Sequence, residues 1–243
     1  MNLLFIGDVV GRSGCDFIRS NLYRIKKEYE IDVTIANGEN SAPGNGITKA
    51  SADELTEYGV DIITTGNHAF RRKESAQIYE QENILRPANY PEGCEGKGYG
   101  IYDFGRYRLA VINLMGTVYM EALDNPFSVI DNILRETDTP NIIVDFHAEA
   151  TSEKKAMGHY LTGKVTAVLG THTHVQTSDE IILGGHTGYI TDVGMTGPEL
   201  SVLGVCSEDA VRKQKYKTPV YFRESENDVF LNAVVLQIDT KLG

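Results

Sequence analysis

The chain has 243 residues, a formal net charge of −11 and three cysteines. That length suffices for one well-buried α/β domain, residues 1–243, and the acidic balance weighs against duplex nucleic acid, whose partners present a basic face. No apolar run approaches the roughly 20 residues of a membrane span; the first strand starts at Asn2, leaving no room for an export signal, and Cys15, Cys94 and Cys206 lack disulfide or thiolate spacing, so the expected compartment is the cytoplasm.

Leu3-Leu4-Phe5-Ile6 predicts the first strand. Gly11-Arg12-Ser13-Gly14 reads as a turn into a helix from Cys15 to Glu30, where Phe17, Ile18, Leu22 and Ile25 recur at helical spacing. The rhythm repeats with a strand at 32–36, a helix near 49–58, a strand at 61–65 and a polar helix near 73–82, the βαβ pattern of a largely parallel sheet. Residues 85–105, with Pro87, Pro91 and five glycines from Gly93 to Gly105, predict a surface excursion ending in a hairpin. Strand 108–114, helix 126–136, strand 141–146, helix 152–160 and strand 165–169 continue the alternation. Residues 181–183, 188–191 and the alternating run 229–238 read as antiparallel strands. Two packed mixed sheets with helices outside accommodate both halves.

Five of these strands run into residues that bind metals: Gly7-Asp8, Gly38-Glu39-Asn40, Gly66-Asn67-His68, Asp145-Phe146-His147 and Gly170-Thr171-His172-Thr173-His174. Strand ends are where α/β sheets carry their ligand-binding loops, and a rigid strand fixes a side chain's position. Oxygen and imidazole donors without thiolate suit Mn²⁺, Fe or Zn²⁺, with Mg²⁺ also open, and the mixture points to two ions held close together by Glu39 as the bridging carboxylate. Such a pair lowers the pKa of bound water from about 15.7 to about 7, so the expected nucleophile is a bridging hydroxide. With Asp8 and Glu39 ionised, two divalent ions and one hydroxide leave a cluster near +1, which attracts a phosphodiester monoanion. His68, beside Asn67, is placed to protonate the leaving oxygen as general acid.

These segments, in order with Asn37-Gly38-Glu39-Asn40, the run from Asp145 to Lys154, Gly170 to Gln176 and Asp192 to Pro198, resemble the YmdB-type branch of the calcineurin-like metallophosphoesterases over nearly the whole chain. The resemblance implies a four-layer αββα sandwich. It implies one ion held by Asp8, Glu39, Asn40 and His174, and another by Glu39, Asn67, His147 and His172. It further implies a 2′,3′-cyclic-nucleotide phosphodiesterase with His68 as the acid, acting on a small phosphodiester or cyclic nucleotide in the bacterial cytoplasm. Homo-oligomerisation stays open. The pattern departs from ordinary metallophosphoesterases at Val10, where they carry histidine, and at Glu39, where they carry aspartate. It departs from the YmdB branch at Phe70, Arg71-Arg72 and Cys15.

Each segment taken singly has an ordinary explanation. Asp8 reads as a turn carboxylate, Glu39-Asn40 and Asn67-His68 as loop and turn pairs, and His172 and His174 as alternating residues of an extended surface stretch. His159 at a helix end and His186 in a turn stay outside the site. The Gly11–Gly14 turn reads either as a backbone phosphate site or as simple helix entry. Arg71-Arg72 reads as a solvated helix start or a substrate neutraliser, and Thr196-Gly197-Pro198 as a rim or a turn. The competing functional reading is a regulatory module that binds a nucleotide or partner with weak phosphodiesterase activity. Di-iron redox chemistry lacks its Glu-x-x-His helices here, and a serine hydrolase lacks its Gly-x-Ser-x-Gly elbow.

Overall fold

A computed structural model describes residues 1–226 and 228–243. In its first half, β1 (Asn2–Ile6) and the short β2 (Asp8–Val9) lead into α1 (Gly11–Glu28), followed by β3 (Val33–Asn37), α2 (Lys49–Glu57), β4 (Ile62–Thr64), α3 (Ser75–Ile78) and β5 (Ile84–Leu85). The centre comprises β6 (Tyr99–Asp103), β7 (Arg108–Met115), α4 (Pro126–Glu136), β8 (Ile142–His147), α5 (Thr151–Leu161) and β9 (Ala167–Thr171). Then come β10 (Ile181–Leu183), β11 (Thr187–Ile190), β12 (Met195–Pro198), α6 (Ser207–Tyr216), β13 (Val229–Leu231) and β14 (Ala233–Gln237).

The strands form a five-stranded sheet ordered β14-β1-β3-β4-β5, a six-stranded sheet ordered β10-β11-β9-β8-β7-β6 and a small sheet ordered β13-β12-β2. Both large sheets are parallel at their centres, with antiparallel partners at the edges: β14 in the first, β6 and β10 in the second. Alternation along each strand builds the layers. Leu3, Phe5, Val33, Ile35 and Ile62 face Leu109, Val111, Ile143 and Leu169 in the core between the sheets. Leu4, Ile6 and Ile63 turn the other way, onto Ile18 and Leu22 of α1 and Leu55 of α2. Ile112, Val144 and Phe146 pack outward on Ile130 of α4 and on Met157 and Leu161 of α5. The result is the expected αββα sandwich, each fully buried aliphatic side chain adding about 1.5–3 kcal/mol. Among the described residues no helix is long and apolar enough to cross a membrane.

Several boundaries differ from the expected ones. The Gly11–Gly14 segment is the first turn of α1, not a turn before it, because the Glu224 carboxylate accepts from Ser13 N (3.1 Å) and Ser13 Oγ (2.8 Å) and so caps the helix from a distant part of the chain. The helix expected over 73–82 shrinks to Ser75–Ile78, since Arg72 and Ser75 are drawn onto the carbonyls of Asn45 and Ile47 in the preceding loop. The run 229–238 is not one strand. It breaks at Asn232, whose N–H donates to Met195 O and whose carbonyl accepts from Gly7 N, so β13 joins the small sheet and β14 the large one. β11 pairs antiparallel with β10 but parallel with β9. β9 lies two residues later than expected, which carries Thr171 into the strand and leaves His172 directly at its end.

Candidate metal centre

The five ligand-bearing segments meet above the carboxyl ends of the two large sheets. Glu39 and Asn40 follow β3, Asn67 and His68 follow β4, His147 closes β8, and His172 and His174 follow β9. Asp8 sits on β2, where its N–H donates to Gly194 O at 3.0 Å and its neighbour Gly7 runs so close to that carbonyl that a Cβ would overlap it. Gly66 likewise lies against the His147 ring, with no room for a side chain. The glycine before the ligand is thus a matter of space between converging strands.

Glu39 is buried at the middle of the cluster. Its Oε1 lies 3.3 Å from His147 Nε2 and 3.2 Å from His68 Nδ1, and its Oε2 accepts from His68 N at 2.9 Å. On one side, His147 Nε2 is 2.8 Å from Asn67 Oδ1 and 3.1 Å from His172 Nδ1. On the other, Asn40 Nδ2 lies 3.2 Å from both Glu39 Oε1 and His174 Nε2, and His174 Nε2 lies 3.8 Å from Asp8 Oδ1. The segment that carries His172 is tied to Asp8 by a bond from His172 N to Oδ2 at 3.1 Å. All eight sequence-predicted residues, His68 included, therefore stand in one contiguous cluster around Glu39. Asn40 presents Oδ1 to His68 Nδ1 (2.8 Å) and its amide nitrogen to Glu39 and His174, so in this placement it offers the cluster a donor.

The donor set fits a cation. Ligand atoms of Glu39, His147 and His172 lie within 4.8 Å of one another. The outward nitrogens of two imidazoles are bound to acceptors, His172 Nε2 to Glu149 Oε2 (2.9 Å) and His174 Nδ1 to Leu203 O (3.2 Å), which leaves their inward nitrogens as lone pairs. Asp8 Oδ1 is buried without a hydrogen-bond partner. Electrostatics agree. Burial pushes the Asp8 carboxyl up. Burial also pushes Glu39 up, yet the imidazoles of His147 and His68 outweigh it and hold that carboxyl well below its ordinary range. Burial opposes charge on His147, but Glu39 raises it to about 9, whereas burial beside His147 lowers His172 to about 3. His147 Nε2 thus faces three acceptors, Asn67 Oδ1, Glu39 Oε1 and His172 Nδ1, a position a divalent cation satisfies better than a lone proton does.

The backbone of the two last histidines corrects the expected extended stretch. His172 (φ 106°) and His174 (φ 64°) both adopt left-handed conformations, each costing on the order of 1–3 kcal/mol. They are held there from behind. Asp192 Oδ2 accepts from Thr173 N at 3.0 Å and pairs with Lys154 Nζ at 2.5 Å, while that ammonium also donates to Thr171 O at 2.7 Å. Both charges are almost completely buried. Sequence reasoning quoted Lys154, Asp192 and Glu149 within motifs but gave them no role; the available signal for Glu149 was its place two residues after His147.

The other candidates resolve plainly. The α1 entrance holds the Glu224 carboxylate, which leaves no room for phosphate there. Arg72 donates to Asn45 O and Pro43 O, pinning a loop. Thr196-Gly197-Pro198 is strand β12, paired with β2 beneath Asp8. Cys15 is buried with its thiol pushed up to about 12 by burial, and Phe70 packs on Tyr79 and Tyr90. His159 and His186 lie in the last turn of α5 and in the turn after β10.

The family model described as YmdB-like protein matches residues 4–243. The chain belongs to the YmdB-like protein family. It is 46% identical over 242 residues to a 2′,3′-cyclic-nucleotide 2′-phosphodiesterase of Bacillus subtilis, covering 98% of this chain and 92% of that one. Among solved structures it superimposes with a TM-score of 0.94 on a hypothetical protein from Thermus thermophilus (41% identity, 98% of this chain and 94% of that chain). The TM-score is also 0.94 for a phosphatase from Mycoplasma pneumoniae (35% identity, 99% and 89%). Both solved structures thus share this αββα frame with the present chain over nearly their whole length, and in this chain Glu39, His147 and His172 gather at the strand ends.

Proposed function

We propose that this chain is a metal-dependent phosphodiesterase acting on 2′,3′-cyclic nucleotides, holding two cations of which Fe and Mn²⁺ suit the donors best. The observation that carries the reading is the convergence of acceptors on Glu39, with inward lone pairs on two imidazoles and an unpartnered Asp8 oxygen. Glu39, Asn67, His147 and His172 would hold one ion; Asp8, Glu39 and His174 the other. Asn40 joins the second set with its amide turned over, since Nδ2 is the atom that now faces Glu39 and His174. Bound there, the ions supply Lewis acidity toward the phosphoryl oxygens and hydroxide at neutral pH. The 46% identity over 242 residues with the Bacillus subtilis 2′,3′-cyclic-nucleotide 2′-phosphodiesterase supports the substrate class.

His68 performs the proton transfer. Its ring is part-exposed, and its Nδ1 lies 3.2 Å from Glu39 Oε1, so that carboxylate oxygen holds the proton on that nitrogen. Nε2 is then the nitrogen that gives a proton to the departing alkoxide. The bond from His68 N to Glu39 Oε2 fixes the acid relative to the shared carboxylate. The test is a turnover panel of 2′,3′- and 3′,5′-cyclic nucleotides, linear diesters and monoesters with Mn²⁺ and Fe²⁺. Hydrolysis of 2′,3′-cyclic substrates well above a His68→Ala control is expected; equal rates in both would transfer the case to a binding module.

A further inference from the structure

Asp145 lies on β8 two residues before His147, wholly buried, and the chemistry above does not use it. Donors engage both its oxygens. Thr64 Oγ1 (2.5 Å) and Asn37 Nδ2 (3.1 Å) donate to Oδ2, and Thr171 Oγ1 donates to Oδ1 at 2.7 Å. The same Thr171 hydroxyl lies 2.9 Å from His147 Nδ1. A hydroxyl carries one proton, and an ionised carboxylate only accepts. The Thr171 proton is therefore committed to Asp145, and toward His147 its oxygen can only accept. Asn37 Nδ2, 3.5 Å from the same ring nitrogen, has two protons and closer acceptors for both in Asp145 Oδ2 and Thr65 O (3.3 Å).

We propose that Asp145 and Thr171 form a positioning relay that places the ring proton of His147 on Nδ1 and keeps Nε2 free for the cation. This rests on reading His147 as a ligand. An outer partner that fixes tautomer and ring orientation is how proteins prepare an imidazole for a metal. The geometry also dictates what a substitution of the same shape does. In Asp145→Asn, Thr64 and Asn37 both donate to the Oδ2 position, so the amide oxygen takes that place and the amide NH₂ faces Thr171. The Thr171 oxygen then accepts from the amide, and its proton turns to His147 Nδ1. The ring proton moves to Nε2, and the lone pair that faces Glu39, Asn67 and His172 is lost.

Heteronuclear NMR of the His147 ring in the Zn²⁺-loaded full chain tests this, together with Zn²⁺ affinity measured by chelator competition. The expected wild-type result is a proton on Nδ1 and a metal-shifted Nε2. Asp145→Asn and Thr171→Val should each lower Zn²⁺ affinity about 10–100-fold, and Thr171→Ser should restore both the affinity and the ring signature. A merely structural role would lower stability without moving the proton. A wild-type ring that ligates through Nδ1, or an Asp145→Asn chain that binds Zn²⁺ as tightly as wild type while Nε2 stays metal-shifted, overturns the relay alone. If Zn²⁺ leaves the His147 signals unmoved, the ligand reading falls and the relay with it.

Discussion

The two large sheets deliver different chemistry to the same place by different means. The five-stranded sheet sends out Glu39, Asn40, Asn67 and His68 on loops after β3 and β4, and these residues are fixed largely by one another: Glu39 accepts from His68 N and Asn40 Nδ2, and its Oε1 lies 3.2 Å from His68 Nδ1. The six-stranded sheet delivers His147, His172 and His174, and behind each stands a partner outside the cluster, Thr171 with Asp145, Glu149, and the Leu203 carbonyl. An oxygen ligand has equivalent lone pairs and needs only position. An imidazole needs position and the right proton, so it needs an acceptor on its far side. The carboxylate half is therefore self-contained, and the imidazole half depends on a buried polar scaffold.

The substitution that strikes both halves at once should cost most. Glu39→Gln removes charge from a residue that touches His68, His147 and Asn40 alike. Metal affinity should fall by more than the roughly 10–100-fold that loss of a supporting partner costs, with metal content and turnover falling alongside. Elemental analysis and steady-state rates on the same preparation check this; full metal content with normal turnover would contradict the bridging assignment. His68→Ala sharpens the comparison from within the carboxylate half. It should keep both ions while kcat drops about 10²–10⁴-fold, because the acid acts in the transition state. Loss of metal from that variant would instead make His68 a ligand.

The imidazole half is breakable without touching a ligand. Lys154→Met leaves Asp192 buried opposite an uncharged side chain, a loss of about 3–5 kcal/mol by analogy with other broken buried pairs. At about 2–4 °C per kcal/mol for a chain of this size, the melting midpoint should drop by on the order of 10 °C. The positive-φ conformations of His172 and His174 should relax with it, since Asp192 Oδ2 holds Thr173 N between them. Scanning calorimetry and metal affinity measured together check the coupling. A stable variant with unaltered affinity would show that the pair stabilises the fold but does not brace the histidines.

What could be read from the chain follows the same division. Strands and outer helices were legible because side chains such as Leu3/Phe5 and Leu4/Ile6 alternate between two apolar cores, a local pattern. The ligand segments stood out because each follows such a strand. The features that escaped are made by partners far apart in sequence. Glu224 caps α1 across 211 positions. Asn232 interrupts an unbroken apolar alternation only because Gly7 and Met195 claim its backbone. The left-handed His172 and His174 depend on Asp192 and Leu203, and nothing in Thr-His-Thr-His itself announces them. α6, highly charged and burying little beyond Ala210, carries almost no apolar signal to find.

The smallest test probes the outer edge of the imidazole scaffold. Asp179 is the anchor for the chain after His174: Thr177 Oγ1 donates to it at 2.7 Å, Thr191 N at 3.1 Å, and Lys155 Nζ at 2.9 Å. Partial burial raises its carboxyl, but the bonds from Thr191, Lys155 and Thr177 outweigh burial and hold it below the ordinary range. A depressed folded pKa contributes stability above the unfolded value near 3.9 and loses it as pH falls through the folded one. Asp179→Asn should therefore cost on the order of 1 kcal/mol at neutral pH, less than the full worth of charged hydrogen bonds because the group is partly in water. The gap between variant and wild type should hold down to about pH 4 and close below it. Urea unfolding of both chains across that range checks the sign. A gap that widens in acid would mean the Asp179 carboxylate is a burden there, and that the segment after His174 is held by backbone bonds such as Thr177 N to Asp192 O instead.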